Sequence, residues 1–287
     1  MTENRKELQC LLEKVYRERG FDFREYKEST LTRRLARRLH ARGAETYADY
    51  ARVLDQDPAE YDKLFDDLTI NVTSFFRDDV AFKALEEIVL PVLIGKQTGE
   101  PRGGGASAPP HLRTPAPLLR IWSAGCATGE EPYSIAMLLL ETLDTRVDEF
   151  EITVLATDID AKALDRAREG VFGPKDVEGI RPAWLERYFV AEGEAFHVQP
   201  ALRQLVTFEV HSLVSDPPYR DLDLVVCRNV LIYFAPALQT RALKGFHEGL
   251  REGGFLLLGK AEVPVGETRG LFHCVDRKAK LYRKRKT

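Results

Sequence analysis

Lys96 to Pro117 reads KQTGEPRGGGASAPPHLRTPAP, dense in glycine, proline and small residues, with almost no large apolar side chain. Such a stretch cannot bury enough surface to offset the entropy of ordering it, so 96–117 is expected to be a flexible linker. It divides a 287-residue chain into two parts whose apolar patterns follow different periods. Ahead of it, Leu8, Leu11, Leu12, Val15 and Tyr16 follow helical spacing. Asp57-Pro58 opens a helix through Tyr61, Leu64, Phe65 and Leu68. Asp78 and Asp79 open another through Phe82, Leu85, Val89 and Leu93, and nothing alternates convincingly with period two. Residues 1–95 are therefore expected to form an all-helical N-terminal domain.

Beyond the linker the pattern is α/β. Leu118–Trp122 and Ile152–Ala156 are short apolar runs expected to be buried parallel strands, with helices at Tyr133–Leu143 and Ala161–Arg168. Leu222–Cys227 and Phe255–Leu258 flank a helix from about Pro236 to Leu250 that Gly253-Gly254 is expected to end. Between Tyr188 and Val210 the short alternating pieces Ala195–Val198 and Leu205–Val210 suggest a small β insertion or an edge strand. Residues 118–287 are thus expected to form an α/β domain, with a small β insertion or an edge strand at about 188–206.

Charge narrows the function classes. With 42 Lys+Arg against 45 Asp+Glu and a net charge of −3, the chain lacks the basic excess that a nonspecific nucleic-acid coat needs to release counterions. The opening MTENRKEL has no apolar run, and no stretch reaches the ~18 apolar residues of a membrane span. Cys10, Cys126, Cys227 and Cys274 are scattered without a CxxC pair. A cytoplasmic protein with reduced thiols, no metal site and no membrane insertion is expected.

The polar residues with chemical capacity cluster after the strands. Ser123-Ala-Gly-Cys-Ala-Thr-Gly-Glu-Glu131-Pro-Tyr-Ser follows the first α/β strand; its small residues let a ligand approach the backbone at a helix N-terminus. Only Gly125 and Gly129 are present, so this is not the G-x-G-x-x-G dinucleotide fingerprint. An ordinary loop with Pro132 in the helix's first position and Glu131 as a cap explains it equally well. Asp158, ending the second strand, can accept both ribose hydroxyls of a nucleoside ligand, while Asp160 is better explained as the next helix's N-cap. That pairing fits NAD and S-adenosylmethionine alike. Cys227-Arg228-Asn229-Val-Leu-Ile-Tyr233-Phe234 puts polar groups at the carboxyl edge of the fourth strand, where such sheets place ligands. Asp216-Pro-Pro-Tyr219 looks like the signature of amino-group methyltransferases but precedes its strand, so it is expected to be a turn. Thr69 to Arg77 is dense in side-chain donors around Phe75 and Phe76, and a capped helix junction would account for it. Finally, Arg33, Arg34, Arg37, Arg38 and Arg42 lie in one segment without a carboxylate. On a helix Arg34, Arg38 and Arg42 share a face, and an uncompensated stack of like charge suggests an anionic partner.

Taken together, Asn71-Val-Thr-Ser-Phe-Phe-Arg77, Ser123 to Ser134, Thr157-Asp-Ile-Asp160 and Cys227 to Phe234 resemble the chemotaxis receptor methyltransferases of the CheR type. These are S-adenosylmethionine-dependent protein-glutamate O-methyltransferases, and the resemblance runs over nearly the whole chain. It implies a helical domain followed by a doubly wound, Rossmann-like class I methyltransferase domain with a small antiparallel β subdomain. It implies that Asn71, Thr73 and Arg77 reach the cofactor from the helical side. Glu131 would hold the cofactor's amino group and Asp158 its ribose, and Arg228, Asn229 and Tyr233 would complete the pocket. Arg77 and Tyr233 are the catalytic candidates. The arginine-rich helix would dock on the cytoplasmic helical bundle of a chemoreceptor, and the protein is expected to be a monomer with no nucleic-acid partner. Three departures stand out. Ser212-Leu213 replaces the family's usual Asn-Leu, implying a weaker or water-mediated side-chain contact to the adenine. The span from Tyr188 to Leu205 leaves little room for a receptor-tethering loop, so independence from a receptor's C-terminal pentapeptide is expected. The linker also looks longer than usual. The rival function is a non-catalytic S-adenosylmethionine-binding signalling module.

Overall fold

A computed structural model describes residues 3–69, 71–98 and 116–286. Most of the expected linker, 99–115, lies outside the described residues. Helices α1 (Glu3–Arg19), α2 (Glu28–Arg42), α3 (Tyr47–Gln56) and α4 (Glu60–Leu68) close around a core of their own. The apolar stripe of α1 buries Leu8, Leu11, Leu12 and Val15, and α2 adds Leu31 and Leu35. Gly43 ends α2 in the left-handed conformation at φ 64°, and a Thr46–Asp49 capping box starts α3.

The core boundary differs from the expected 95. Helices α5 (Asp79–Ala84) and α6 (Leu90–Thr98), joined through a π-turn at Leu85–Val89, bury Phe82, Leu85, Val89 and Leu93 with Leu119, Ile121 and Ala136 of the second domain. The helical core itself ends at Leu68. Helical periodicity identifies the face that is buried but not the core that receives it, so these helices could not be assigned from spacing alone.

The second domain is built on a seven-stranded sheet. Its strands are β1 (Leu118–Ala124), β2 (Glu151–Asp158), β6 (Val206–Val210), β7 (Leu222–Cys227), β8 (Leu250–Leu258), β9 (Phe272–Asp276) and β10 (Leu281–Lys284). The order is β6-β2-β1-β7-β8-β10-β9, parallel from β6 to β8 and antiparallel across β8-β10-β9. All six residues of β7 are buried, which is why this central strand is apolar at every position but one. Asp223 is its one charge; it accepts from the Arg120 amide at 2.9 Å and pairs with Arg251 at 3.1 Å. Helices α7 (Glu130–Leu143) and α8 (Ala161–Glu169) follow β1 and β2, and α11 (Pro236–Gly249) packs Leu238, Leu243 and Phe246 on the other face.

Two expectations about β structure are corrected. The small sheet is made of β3 (Val171–Phe172), β4 (Phe189–Glu192) and β5 (Ala195–Val198) in the order β3-β5-β4, so it spans 171–198 and not 188–206. The second alternating piece is β6, pairing parallel with β2 in the main sheet. Helices α9 (Pro182–Tyr188) and α10 (Pro200–Arg203) flank the small sheet. Gly253-Gly254 does not end α11; β8 begins at once, and Gly253 lies within it at φ 68° beside an irregularity in the β7–β8 register. A glycine pair marks a strand bulge as readily as a helix stop.

The helical domain is fastened to the loop after β7. The Lys27 amide donates to the Tyr233 carbonyl at 2.8 Å, the Ala235 amide to the Glu25 carbonyl at 2.9 Å, and Arg241 pairs with Glu25 at 2.8 Å. No described helix is long and apolar enough to cross a membrane.

Candidate functional site

Strand β1 pairs with β2 on one side and β7 on the other, so the chain's direction across the sheet reverses there. Loops leave the carboxyl ends of such neighbours on opposite faces and open a crevice between them. The cleft found there encloses about 1090 Å³, counting space open to solvent. Asn71, Thr73, Arg77, Glu131, Asp158, Ser212, Leu213, Arg228, Asn229 and Tyr233 all line it. Positions from separate sequence segments are thus brought to one cleft.

The approach from the helical side is anchored at both ends. Asn71 donates its amide to Asp160 at 2.7 Å, where Thr69 also donates at 3.3 Å. Asp160 caps α8 through the amides of Lys162 and Ala163, so the expected cap also holds the incoming loop. Phe75 packs edge-on against Phe172 and Phe189, and Phe76 against Phe82 and Trp184. The Phe76 amide donates to Ser134 at 3.0 Å. Arg77 curls back, donating to the Val72 carbonyl at 2.7 Å.

The loop after β1 is shaped by glycine. A Cβ on Gly125, at φ 81°, would run into the Val230 side chain, and one on Gly129, at φ 96°, would meet Ala167 at 2.8 Å. Gly129 is the N-cap of α7, which places Pro132 third in the helix. Glu131 therefore does not cap it. Its buried carboxylate instead accepts from Ser123 at 2.8 Å and from Arg228 at 3.2 Å. Asp158 accepts from the amides of Ala127, at 2.8 Å, and Asp160, at 3.0 Å. Burial raises its carboxyl above the ordinary value, and these amide bonds pull the other way. Each carboxylate oxygen has a second lone pair for a ligand hydroxyl.

Arg228 sits at the end of β7 with 7% exposure. It binds Glu131 and the Arg77 carbonyl, and its Nε is buried without a partner. Asn229 follows at φ 62°; Ala127, which also lines the cleft, shares that left-handed conformation, as do Phe76 and Asp78 on either side of Arg77. Non-glycine residues adopt it at a cost that surrounding structure must hold in place. Tyr233 is half-buried, and its hydroxyl makes no hydrogen bond among the described residues. Burial raises this phenol above its usual value, against the opposing positive charges of Arg34, Arg77 and Arg33.

Several members of the site were not foreseen. Phe23, Tyr26 and Leu68 bring the helical core to the cleft wall, and His211 lines it beside Ser212. Glu262, 4% exposed, accepts from the amides of Gly259, Asn229 and Ile232 at 2.6, 3.0 and 3.2 Å. It thereby holds the loop that carries Asn229 and Tyr233. Burial raises its carboxyl and the amide bonds oppose that rise. The rule that located Arg228, polar residues just past a strand's carboxyl end, would have found Glu262 past β8. The aromatic wall carried no signal, because Phe23 and Tyr26 look like ordinary core.

The arginine stack is corrected. Arg38 pairs with the fully buried Glu60 and, at 3.4 Å, with Asp67. Arg42 pairs with Asp57 at 3.0 Å, Arg37 with Asp67 at 3.2 Å, and Arg34 donates to the Asp67 carbonyl. The carboxylates missing from the stack's own segment come from α4 and the turn before it. Arg33 is exposed and makes no hydrogen bond or ion pair among the described residues. None of the five lines the cleft. Cys126 and Cys227 are buried, which raises both thiols well above their usual value, so neither offers a thiolate nucleophile. Asp216-Pro-Pro-Tyr219 is a loop between β6 and β7, with Tyr219 donating to Glu209 at 2.6 Å.

An acidic group for ribose, orphaned buried polar atoms at Arg228 and His211, and a glycine cradle suit a nucleoside cofactor. Residues 71–281 match the family described as CheR methyltransferase, SAM binding domain, and residues 6–69 match CheR methyltransferase, all-alpha domain. The chain is 34% identical over 248 residues to the "Chemotaxis protein methyltransferase" of Listeria monocytogenes, covering 86% of each. It is 35% identical to "Chemotaxis protein methyltransferase 2" of Pseudomonas aeruginosa, over 90% of this chain and 86% of that one. An uncharacterized 104.1 kDa protein of Rhodobacter capsulatus is 36% identical over 244 residues; they are 85% of this chain but only 24% of that protein. With both domains matched end to end and the cleft formed where they meet, the chain belongs to the CheR methyltransferase family and uses S-adenosylmethionine as its cofactor.

Proposed function

We propose that this protein is a protein-glutamate O-methyltransferase that esterifies glutamate side chains on the cytoplasmic helices of a chemoreceptor. The observation that carries this reading is the placement of the Tyr233 hydroxyl. It has no partner among the described residues, it lines the cofactor cleft, and it lies within the field of Arg33, Arg34 and Arg77. A free glutamate side chain loses its proton near pH ~4.3 and so arrives ionised at neutral pH. No group of the protein has to remove a proton, and none of the six histidines is needed as a base.

When bound, S-adenosylmethionine supplies an electrophilic methyl group on a positively charged sulfur and leaves as S-adenosylhomocysteine. Asp158 would hold the ribose hydroxyls. Glu131, Arg228, Asn229 and the Asn71–Arg77 loop would hold the amino-acid end. Tyr233 would donate a neutral hydrogen bond that orients the substrate carboxylate without cancelling its charge. Phe23, Tyr26 and Leu68 exclude water, which strengthens the attraction between unlike charges in the cleft. Alignment of this kind contributes up to roughly 7–11 kcal/mol.

Docking falls to fewer arginines than the sequence suggested. Arg33 and the outer side of Arg37, 62% exposed, are available to an acidic helix, and the charge of Arg34 acts on Tyr233. Arg38 and Arg42 serve the fold. The β4–β5 hairpin turns through Gly193-Glu194 alone, and so short a turn supports independence from a receptor tail.

The test is incubation with methyl-labelled S-adenosylmethionine and membranes carrying chemoreceptors, with DNA in parallel. Label should appear on receptor protein and be released as methanol by mild alkali. Alkali-stable label, or label on DNA, would refute the glutamate ester. Binding without transfer would leave a cofactor-binding signalling module.

A further inference from the structure

We propose that Lys27, through its backbone amide, is the positioning residue for Tyr233, so that the helix offered to the receptor also sets the phenol that meets the substrate. The inference rests on the proposed role of Tyr233 and goes beyond it by naming what holds that side chain in place.

The Tyr233 hydroxyl makes no hydrogen bond among the described residues, so it cannot aim its own ring. The ring's direction is set by its packing and by the backbone of the turn Leu231–Tyr233. That turn is held from three sides. Glu262 takes the Asn229 and Ile232 amides, and Gln239 of α11 donates to the Leu231 and Phe234 carbonyls at 2.9 and 3.0 Å. The Tyr233 carbonyl itself is held from the helical domain, by the Lys27 amide at 2.8 Å.

Lys27 faces both ways. Its carbonyl accepts from the amides of Thr30 and Leu31 at 3.0 and 3.2 Å and so starts α2, while its amide ends on Tyr233. The helix that carries Arg33 and Arg37 is thus tied to the tyrosine through a single residue. The tie is braced by its neighbours. Tyr26 pairs with Phe234 in an antiparallel bridge, edge-on at 5.0 Å, and meets Phe23 of the helical core edge-on at 5.1 Å. The Ala235 amide donates to the Glu25 carbonyl, and the Glu25 carboxylate pairs with Arg241 of α11. A shift of α2 would therefore carry the Tyr233 carbonyl with it, and a small misplacement at a reacting centre costs a large factor in rate.

The test begins with Lys27→Pro. Lys27 has φ −60°, which proline adopts, and Tyr26 before it lies in a bridge, the extended backbone that precedes proline readily. The substitution removes the donor and puts a ring carbon where the hydrogen faced the Tyr233 carbonyl, so the bridge must open. On receptor membranes at saturating S-adenosylmethionine, turnover should fall about threefold to tenfold, with KM for the receptor held within about twofold because Arg33 and Arg37 are untouched. Lys27→Ala keeps the N–H and should recover most of that loss. In the Tyr233→Phe background, Lys27→Pro should cost less than about twofold further, because a group acting through the hydroxyl has nothing left to position. Glu25→Arg, which opposes Arg241 at the half-exposed pair, keeps the test open if the proline variant folds poorly. It should lower turnover about twofold to threefold, and adding Arg241→Glu should restore it. The assignment is overturned if Lys27→Pro and Glu25→Arg both turn over at the native rate, or if their losses multiply with that of Tyr233→Phe, as a merely structural contact would require. If Tyr233→Phe alone keeps native turnover, the reading of Tyr233 is what fails, and the positioning role falls with it.

Discussion

The guanidinium groups of Arg38 on α2 and Arg228 after β7 are both largely withdrawn from water, yet their surroundings differ. Around Arg38 the charges close on themselves. Glu60 is fully buried; one of its oxygens takes Arg38 and the Tyr50 hydroxyl while the other lies 3.5 Å from Arg42 without a hydrogen bond, and Asp67 takes Arg37 and Arg38. Around Arg228 the groups come from separate segments and line the cleft: Asp158 has lone pairs to spare, and Tyr233 has an unused hydroxyl. Charges satisfied by the next helix are scaffolding. Charges assembled from separate segments with capacity left over are a binding site.

This contrast sets the expected outcomes. On the open side, Asp158→Ala removes the proposed ribose acceptor, two charge-assisted bonds of about 1.5–3 kcal/mol each, so S-adenosylhomocysteine should bind several hundredfold weaker or not at all in calorimetry. On the closed side, Arg38→Ala strands the buried Glu60 carboxylate. The unfolding free energy should fall by about 3–5 kcal/mol in urea titrations, while folded molecules should keep their cofactor affinity.

Glu262→Gln tests the boundary between scaffold and site. Gly259 and Asn229 both donate to the same oxygen, and an amide NH₂ placed there would face two donors. A stability loss of about 1–3 kcal/mol is expected, together with slower methyl transfer as the Asn229–Tyr233 loop shifts. Arg33→Ala should change stability by no more than about 0.5 kcal/mol, yet lower receptor methylation a few-fold at low salt, the difference vanishing as salt is raised. Equal loss at every ionic strength would remove Arg33 from docking.

Much of the cleft was legible in the sequence because polar residues at strand ends have a positional meaning in α/β folds. Arg228, Asn229 and Tyr233 follow a mostly apolar run, and Asp158 ends another. What could not be read was which groups would meet. The segment holding Arg34, Arg38 and Arg42 contains no carboxylate, and a helix pattern does not announce that Asp57, Glu60 and Asp67 will face it from α4 and the turn before it. The same limit hid the core to which α5 and α6 belong, and the move of Leu205–Val210 into the main sheet. Glu131 looked like a cap because caps and buried ligands to arginine use the same residue at the same distance from a strand.

Tyr233→Phe bears most directly on the claim that an unpartnered group at the cleft mouth acts on the substrate. It removes one oxygen that has no partner among the described residues, so neither the fold nor the cofactor pocket loses a bond. Turnover on receptor membranes should fall about tenfold, with the dissociation constant for S-adenosylhomocysteine unchanged. A large loss of cofactor affinity with turnover per bound complex intact would contradict it, and would make Tyr233 part of the cofactor's seat.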